Sequence, residues 1–212
     1  MVAQFFYPAF PPLSLVIHHH YKVNLQRLQC LHQGTPEGVV MFLAGSLPAT
    51  ALRHLRMLGL LAMIARLDPQ NILHRHGRHV LLNPDKKDLR WSWFASVRLL
   101  SQQYGLPDPI LVLQSPPTHY YWKKLTKLKV LDWWQTKYRG EIDTLTSLDF
   151  FQPSYMSLST THPLWTTASS PFEVRKATIS ARMLSCRYRT DYLACVDSQV
   201  VTMNWVLFST FY

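Results

Sequence analysis

"PATALRHLRMLGLLAMIARL", residues 48–67, decides the fold class of this chain. Leu52, Leu55, Leu58, Ala62 and Ala65 recur at steps of three and four, the period that lines one face of an α-helix. Pro48 stands where such a helix can begin, because the first turn needs no backbone N–H from it. The most apolar part, "MLGLLAMIA", is flanked by arginines and is far too short to span a bilayer.

Helical punctuation continues on both sides. "YKVNLQRLQCL" (21–31) looks helical until "HQGTPEG" interrupts it, and "LDPQNILHRHGRHVLLNPDKKD" (67–88) is a connector with room for a short helix. Asp88 can cap a helix over 88–104, where Trp93, Val97, Leu100 and Tyr104 step by four, three and four until Gly105 ends it. "LPDPILVLQSPP" (106–117) is a short apolar piece, Thr118 opens a long helix to about Arg139, and "SLDFFQPSYMSLSTTHPLW" (147–165) is irregular. Ser170, Pro171 and Glu173 then form a capping box with proline at the first helical position, predicting a helix over 171–187. No alternating strand pattern and no repeat intervenes. The expected fold is mainly α: short, proline-separated helices in one irregular helical domain over 21–193, with little or no sheet. Residues 1–20 and 194–212 are compositionally atypical ends expected to pack poorly on the rest.

The 212 residues carry 22 lysines and arginines against 12 acids, a formal net charge of +10, and 48% of them are hydrophobic. A core is affordable and anionic partners are favoured, nucleic acid before membrane. Cys30, Cys186 and Cys195 offer neither a CxxC pair nor an even disulfide framework. The opening "MVAQFFYPAFPPLSLVI" lacks a basic start and is broken by three prolines, so it does not fit a secretory signal. The expected location is intracellular, nucleus or cytoplasm, not secreted.

Catalysis is not expected. The twelve acids are scattered with no two adjacent, and neither a glycine-rich phosphate loop nor a GxSxG elbow is present. His74, His76 and His79 in "HRHGRH", with His54 earlier and "HHH" at 18–20, lack converging cysteines, so a solvated or core-edge cluster is favoured over zinc. No cofactor and no small-molecule substrate is expected.

The helix from Thr118 carries six bases and two acids over 118–141. Trp122 and Trp133 fall almost on one line, with Lys129 and Lys137 beside them, while Tyr121, Leu125 and Leu128 supply a separate apolar stripe. Rings that stack on bases beside lysines that neutralise phosphate suit a single-strand binder. The plainer alternative, which carries more weight, buries both tryptophans and lets the lysines snorkel past. In the helix over 171–187, Val174, Ala177, Ala181 and Leu184 form a narrow apolar face flanked by Arg175, Lys176, Arg182 and Arg187, followed by Arg189. The candidate nucleic-acid-binding residues are therefore Trp122, Lys123, Lys124, Lys127, Lys129, Trp133, Arg175, Lys176, Arg182, Arg187 and Arg189.

"LPATALRHLRMLGLLAMIARL", "NILHRHGRHVL", "SWFASVRLLSQQYGLPDPILVLQSPP", "VLDWWQTKYRGEIDTLTSLDFFQPSYMSLSTTHPLW" and "SPFEVRKATISARMLSCRYRT", in this order, resemble the region downstream of the reverse transcriptase core in animal non-long-terminal-repeat (LINE-type) retrotransposon polyproteins. The resemblance covers about 21–193, is specific in collinear order and is weak in any single motif. It implies a helical, basic accessory region that holds template RNA or target DNA weakly and through phosphate. It also implies a retroelement polymerase as neighbour in a parent polyprotein, with neither polymerase nor endonuclease activity in this segment. Cys186 stands where such regions commonly have glycine before "RYRT", and no zinc-knuckle-like segment follows. A truncated or frame-altered reading frame accounts for both atypical ends. The alternative function is a helical protein-interaction module with an incidental basic surface. Membrane association through the apolar ends ranks below both, because no basic residue follows Arg189.

Overall fold

A computed structural model describes residues 11–83, 92–145, 151, 157–166 and 168–185. Among these the chain forms nine helices and no strand. They are α1 (Pro11–Leu28), α2 (Glu37–Ala44), α3 (Ala49–Ala65), α4 (Ile72–Leu82), α5 (Trp93–Gln103), α6 (Pro109–Gln114), α7 (His119–Asp143), α8 (Pro163–Thr166) and α9 (Pro171–Ser185). The mainly α expectation holds, and prolines do punctuate the helices. Pro36 and Pro48 precede α2 and α3, while Pro109 and Pro171 open α6 and α9. Residues 1–10, Asp88 and the stretch from Cys186 onward, with Arg187, Arg189, Cys195 and the atypical tail, lie outside the described residues.

Local chemistry fixes the ends. Side-chain caps are supplied by Asn71 to Leu73 N–H (3.0 Å), Ser92 to Ala95 N–H (3.2 Å) and Asp108 to Ile110 N–H (2.8 Å). Ser92 thus caps α5 in the role expected of Asp88. At the other end, α1, α2 and α5 close with a left-handed residue at Cys30, Gly45 and Gly105. In each the following N–H bonds back to the carbonyl five residues earlier, a Schellman arrangement. Gly45 is required twice over, since a Cβ there would run into the backbone of Thr160.

The helices gather into two compact units. The first takes the described residues up to Tyr21 with Leu47–Thr136; the second takes Lys22–Ser46 and the described residues from Lys137 on. In the first, α3 packs on α4, α5 and α6. Its buried face is Ala51, His54, Met57, Leu58, Leu61, Ala62, Ile64 and Ala65. This corrects the stripe read from sequence: Leu58, Ala62 and Ala65 belong to it, whereas Leu52 is exposed and Leu55 half-buried. Trp93, Val97, Leu100 and Tyr104 are all buried, as their spacing predicts. Against them α4 presents Gly77, whose Cβ position would lie 2.5 Å from the Phe94 ring. Only glycine admits that approach.

In the second unit α2 is apolar all round after Glu37, and Val39, Val40, Met41, Phe42 and Leu43 are fully buried. The sequence reading assigns no helix there. Its N-terminus has no side-chain cap, so only the Gly45 end is fixed locally and packing secures the rest. Tyr138 and Ile142 from the end of α7 close on Gly38, and the Tyr138 hydroxyl donates to the Glu37 carboxylate. Phe151 meets Phe42, and α8 packs on α9. Gln26, at the end of α1, donates through Nε2 to the Gln33 and Thr35 carbonyls and so organises the 32–35 turn.

Candidate nucleic-acid interface

α7 is 25 residues long, and its buried positions are Trp122, Thr126, Val130, Trp134, Tyr138 and Ile142. They step by four. On a helix of 3.6 residues per turn each such step precesses by about 40°, so the buried line winds through about 200° along the helix. No fixed face runs its length.

The line settles the tryptophans. Trp122 is 2% exposed and donates from Nε1 to the Leu58 carbonyl at 2.8 Å. It cannot stack on a base, and its assignment to a binding surface is corrected. Trp133 is half-buried, edge-on to Tyr104 (5.6 Å, 86°) and to Trp134 (5.0 Å, 77°), so aromatic packing holds it. The expected stripe of Tyr121, Leu125 and Leu128 points the other way: Tyr121 is 59% and Leu128 54% exposed, and Tyr120 reaches 76%. With the buried line read correctly, these are the outward positions.

Lys123, Lys124, Lys127 and Lys129 are all exposed, and among the described residues none has an ion pair. The first turn of α7 holds no acid.

On α9 the capping box is present. Ser170 Oγ accepts from Glu173 N–H (3.2 Å), and the Glu173 carboxylate accepts from the Ser170 N–H (3.1 Å), the Ser169 N–H (2.8 Å) and the Ser169 hydroxyl (2.7 Å). Those bonds, the Ser169 hydroxyl foremost, hold the Glu173 carboxyl below its usual range. Ala177 and Ala181 are buried as expected, but Val174 is 48% exposed and does not belong to the core face. Arg175 and Lys176 are exposed. Arg182 donates from Nε to the Cys30 carbonyl at 2.6 Å, at the left-handed end of α1. That gives it a structural task. The lysines and Trp122 belong to the first unit and Arg175, Lys176 and Arg182 to the second.

His54 and His74 are buried, whereas His76, His79, His19 and His20 are exposed. His74 Nε2 lies 3.3 Å from the Leu113 carbonyl, and His76 stands edge-on to Phe94. Among the described residues no three His, Cys, Asp or Glu side chains come together as a metal would need. His54 Nδ1 is 2.6 Å from the Tyr104 hydroxyl, which also accepts from Trp134 Nε1 at 3.2 Å. The indole can only donate, so the Tyr104 oxygen accepts from Trp134, and the phenol proton pairs with a neutral His54 Nδ1 when the ring carries its own proton on Nε2. Burial, then the charge of Arg53, pulls His54 down to about 4, and burial pushes Tyr104 up to about 12. Both stay neutral across the physiological range.

No protein-family model, curated protein or solved structure matches the chain. Among the described residues no single helix is long and apolar enough to cross a membrane.

Proposed function

We propose that this protein is a non-catalytic, nucleic-acid-contacting segment related to the region that follows the reverse transcriptase core in LINE-type retrotransposon polyproteins. The observation that carries the reading is the run of four exposed, unpaired lysines within seven residues of α7, Lys123 to Lys129. It sits on a helix with no acid in its first turn, in a chain of net charge +10. Lys123, Lys124 and Lys127 fall within about 100° of one another around the helix, with Lys129 apart from them, and such lysines neutralise phosphate and read no sequence by themselves. Arg175 and Lys176 provide a second, smaller cationic surface on α9.

Burial of Trp122 favours the alternative of a protein-interaction module, because that ring is committed to the core. A salt titration separates the two. If four lysines meet phosphates, log affinity falls against log salt with a slope of about −3 for single strands and somewhat steeper for duplex. The Lys123/Lys124/Lys127/Lys129→Ala variant flattens that slope by nearly its whole value for RNA and DNA alike. An unchanged slope and affinity in this variant would make the lysines a solvated face only. Heparin, a non-nucleic polyanion, run in parallel shows how much of the binding is bare charge.

A further inference from the structure

We infer that the outward face of α7 selects single-stranded over double-stranded nucleic acid, with Tyr120 and Tyr121 as the base-stacking side chains. The inference rests on the phosphate-led reading above and adds the class of strand and the residues that choose it.

The geometry follows from the buried line. Taking Tyr120 as the origin, at about 100° per residue, Trp122 and Thr126 lie near 200° and 240°. Tyr120, Lys124, Lys127, Leu128 and Tyr121 lie between about 340° and 100°, on the opposite side. Tyr120 precedes Lys124 by four residues and Lys127 by seven, and Tyr121 precedes Lys124 by three and Leu128 by seven, so rings and ammonium groups are neighbours along two rows. Both tyrosines are more than half exposed, and among the described residues neither ring meets another aromatic.

From Tyr120 to Lys127 the helix rises about 10 Å, which spans roughly three nucleotides of a stacked strand. Asp132, exposed one turn beyond Leu128, closes the strip with a charge that repels phosphate. In a duplex the bases are stacked inside and offer the rings nothing, so only the lysines would engage. In a single strand the bases can turn out onto the rings while the lysines hold the backbone.

The test is fluorescence anisotropy of a labelled 12-nucleotide RNA, the matching single-stranded DNA and its duplex, with the full chain at two salt concentrations. Wild type is expected to prefer the single strands. Tyr120→Ala/Tyr121→Ala should weaken single-strand binding about five- to 150-fold for each ring that carries a base and leave duplex binding unchanged. Tyr120→Phe/Tyr121→Phe should retain the preference, since stacking uses the ring and not the hydroxyl. Lys124→Ala/Lys127→Ala should weaken both and flatten the salt slope by about two. Circular dichroism establishes that each variant is folded. Loss with the lysine variant but none with the alanine tyrosine variant overturns the stacking inference and leaves the phosphate reading standing. Equal affinity of wild type for single strand and duplex overturns it as well. No binding by wild type at low salt removes the phosphate reading and this inference together.

Discussion

Lowering the pH should destabilise the first unit through His54. The residue is buried, its Nδ1 lies 2.6 Å from the Tyr104 hydroxyl, and that hydroxyl also accepts from Trp134. Charging the ring places a second donor against an oxygen already accepting from Trp134, turns the phenol proton away from its acceptor, and buries a cation beside Arg53. The folded state therefore resists protonation down to about 4, while the unfolded chain takes up the proton near 6.5. Above 6.5 neither state binds it and folding is unaffected. As pH falls from 6.5 towards 4 the unfolded state alone gains the proton, and stability drops by up to about 3 kcal/mol. Urea denaturation between pH 7.5 and 4.5, followed by tryptophan fluorescence, measures this. Trp93, Trp122 and Trp134 are buried in the first unit and report on it. His162, which burial also lowers, adds a fall of the same sign. The decisive quantity is thus the difference between wild type and His54→Gln, which keeps an acceptor for Tyr104 but cannot titrate. The variant should lose most of the pH-dependent decrement over this window. If its stability falls with pH as steeply as that of wild type, the relay does not hold His54 neutral and the reasoning fails.

Three further substitutions test the packing that positions the interface. Gly77→Ala adds a methyl 2.5 Å from the buried Phe94 ring, so overpacking of about 1–3 kcal/mol should outweigh the helix-propensity gain, giving a lower urea midpoint. Gly59→Ala, exposed in the middle of α3 with nothing within 4 Å of the new methyl, should instead raise stability by about 0.5–1 kcal/mol. Trp122→Ala should cost about 3–5 kcal/mol, seen in the same denaturation assay, and lower binding to single strand and duplex in proportion to the unfolded fraction, as befits a core residue.

What the sequence made legible was whatever its chemistry states locally. The Ser170–Glu173 capping box, the α5 stripe from Trp93 to Tyr104 and the stop at Gly105 each announce themselves through a few neighbouring residues. Burial along α7 does not. A line that steps by four from Trp122 to Ile142 precesses round the helix, and a search for one fixed apolar face finds Tyr121, Leu125 and Leu128 instead. The division into two units is only partly legible: the chain crosses it in the Gly45–Pro48 linker, but also within α1 after Tyr21 and within α7 after Thr136, where no linker composition marks it. α2 escaped for another reason. After Glu37 its seven residues are apolar on every side, and periodicity carries no information when there is no polar face.

The same contrast governs how the basic residues of α9 are to be weighed. Counting charges makes Arg182 equal to Arg175 and Lys176, yet only Arg182 bonds a backbone carbonyl 152 residues away in sequence, at Cys30. Cys30 adopts a left-handed conformation, which is unfavourable for a residue with a Cβ, and the turn it occupies closes α1. A guanidinium on that carbonyl ties α9 to the end of α1 by a charge-assisted bond. Loss of nucleic-acid binding on changing Arg182 would therefore confound a phosphate contact with a displaced helix. Arg175 and Lys176 carry no such contact among the described residues, and the capping box that starts their helix lies on the opposite side of them from Arg182 in sequence. Those two residues are where a phosphate contribution from α9 can be measured without disturbing the fold that presents it.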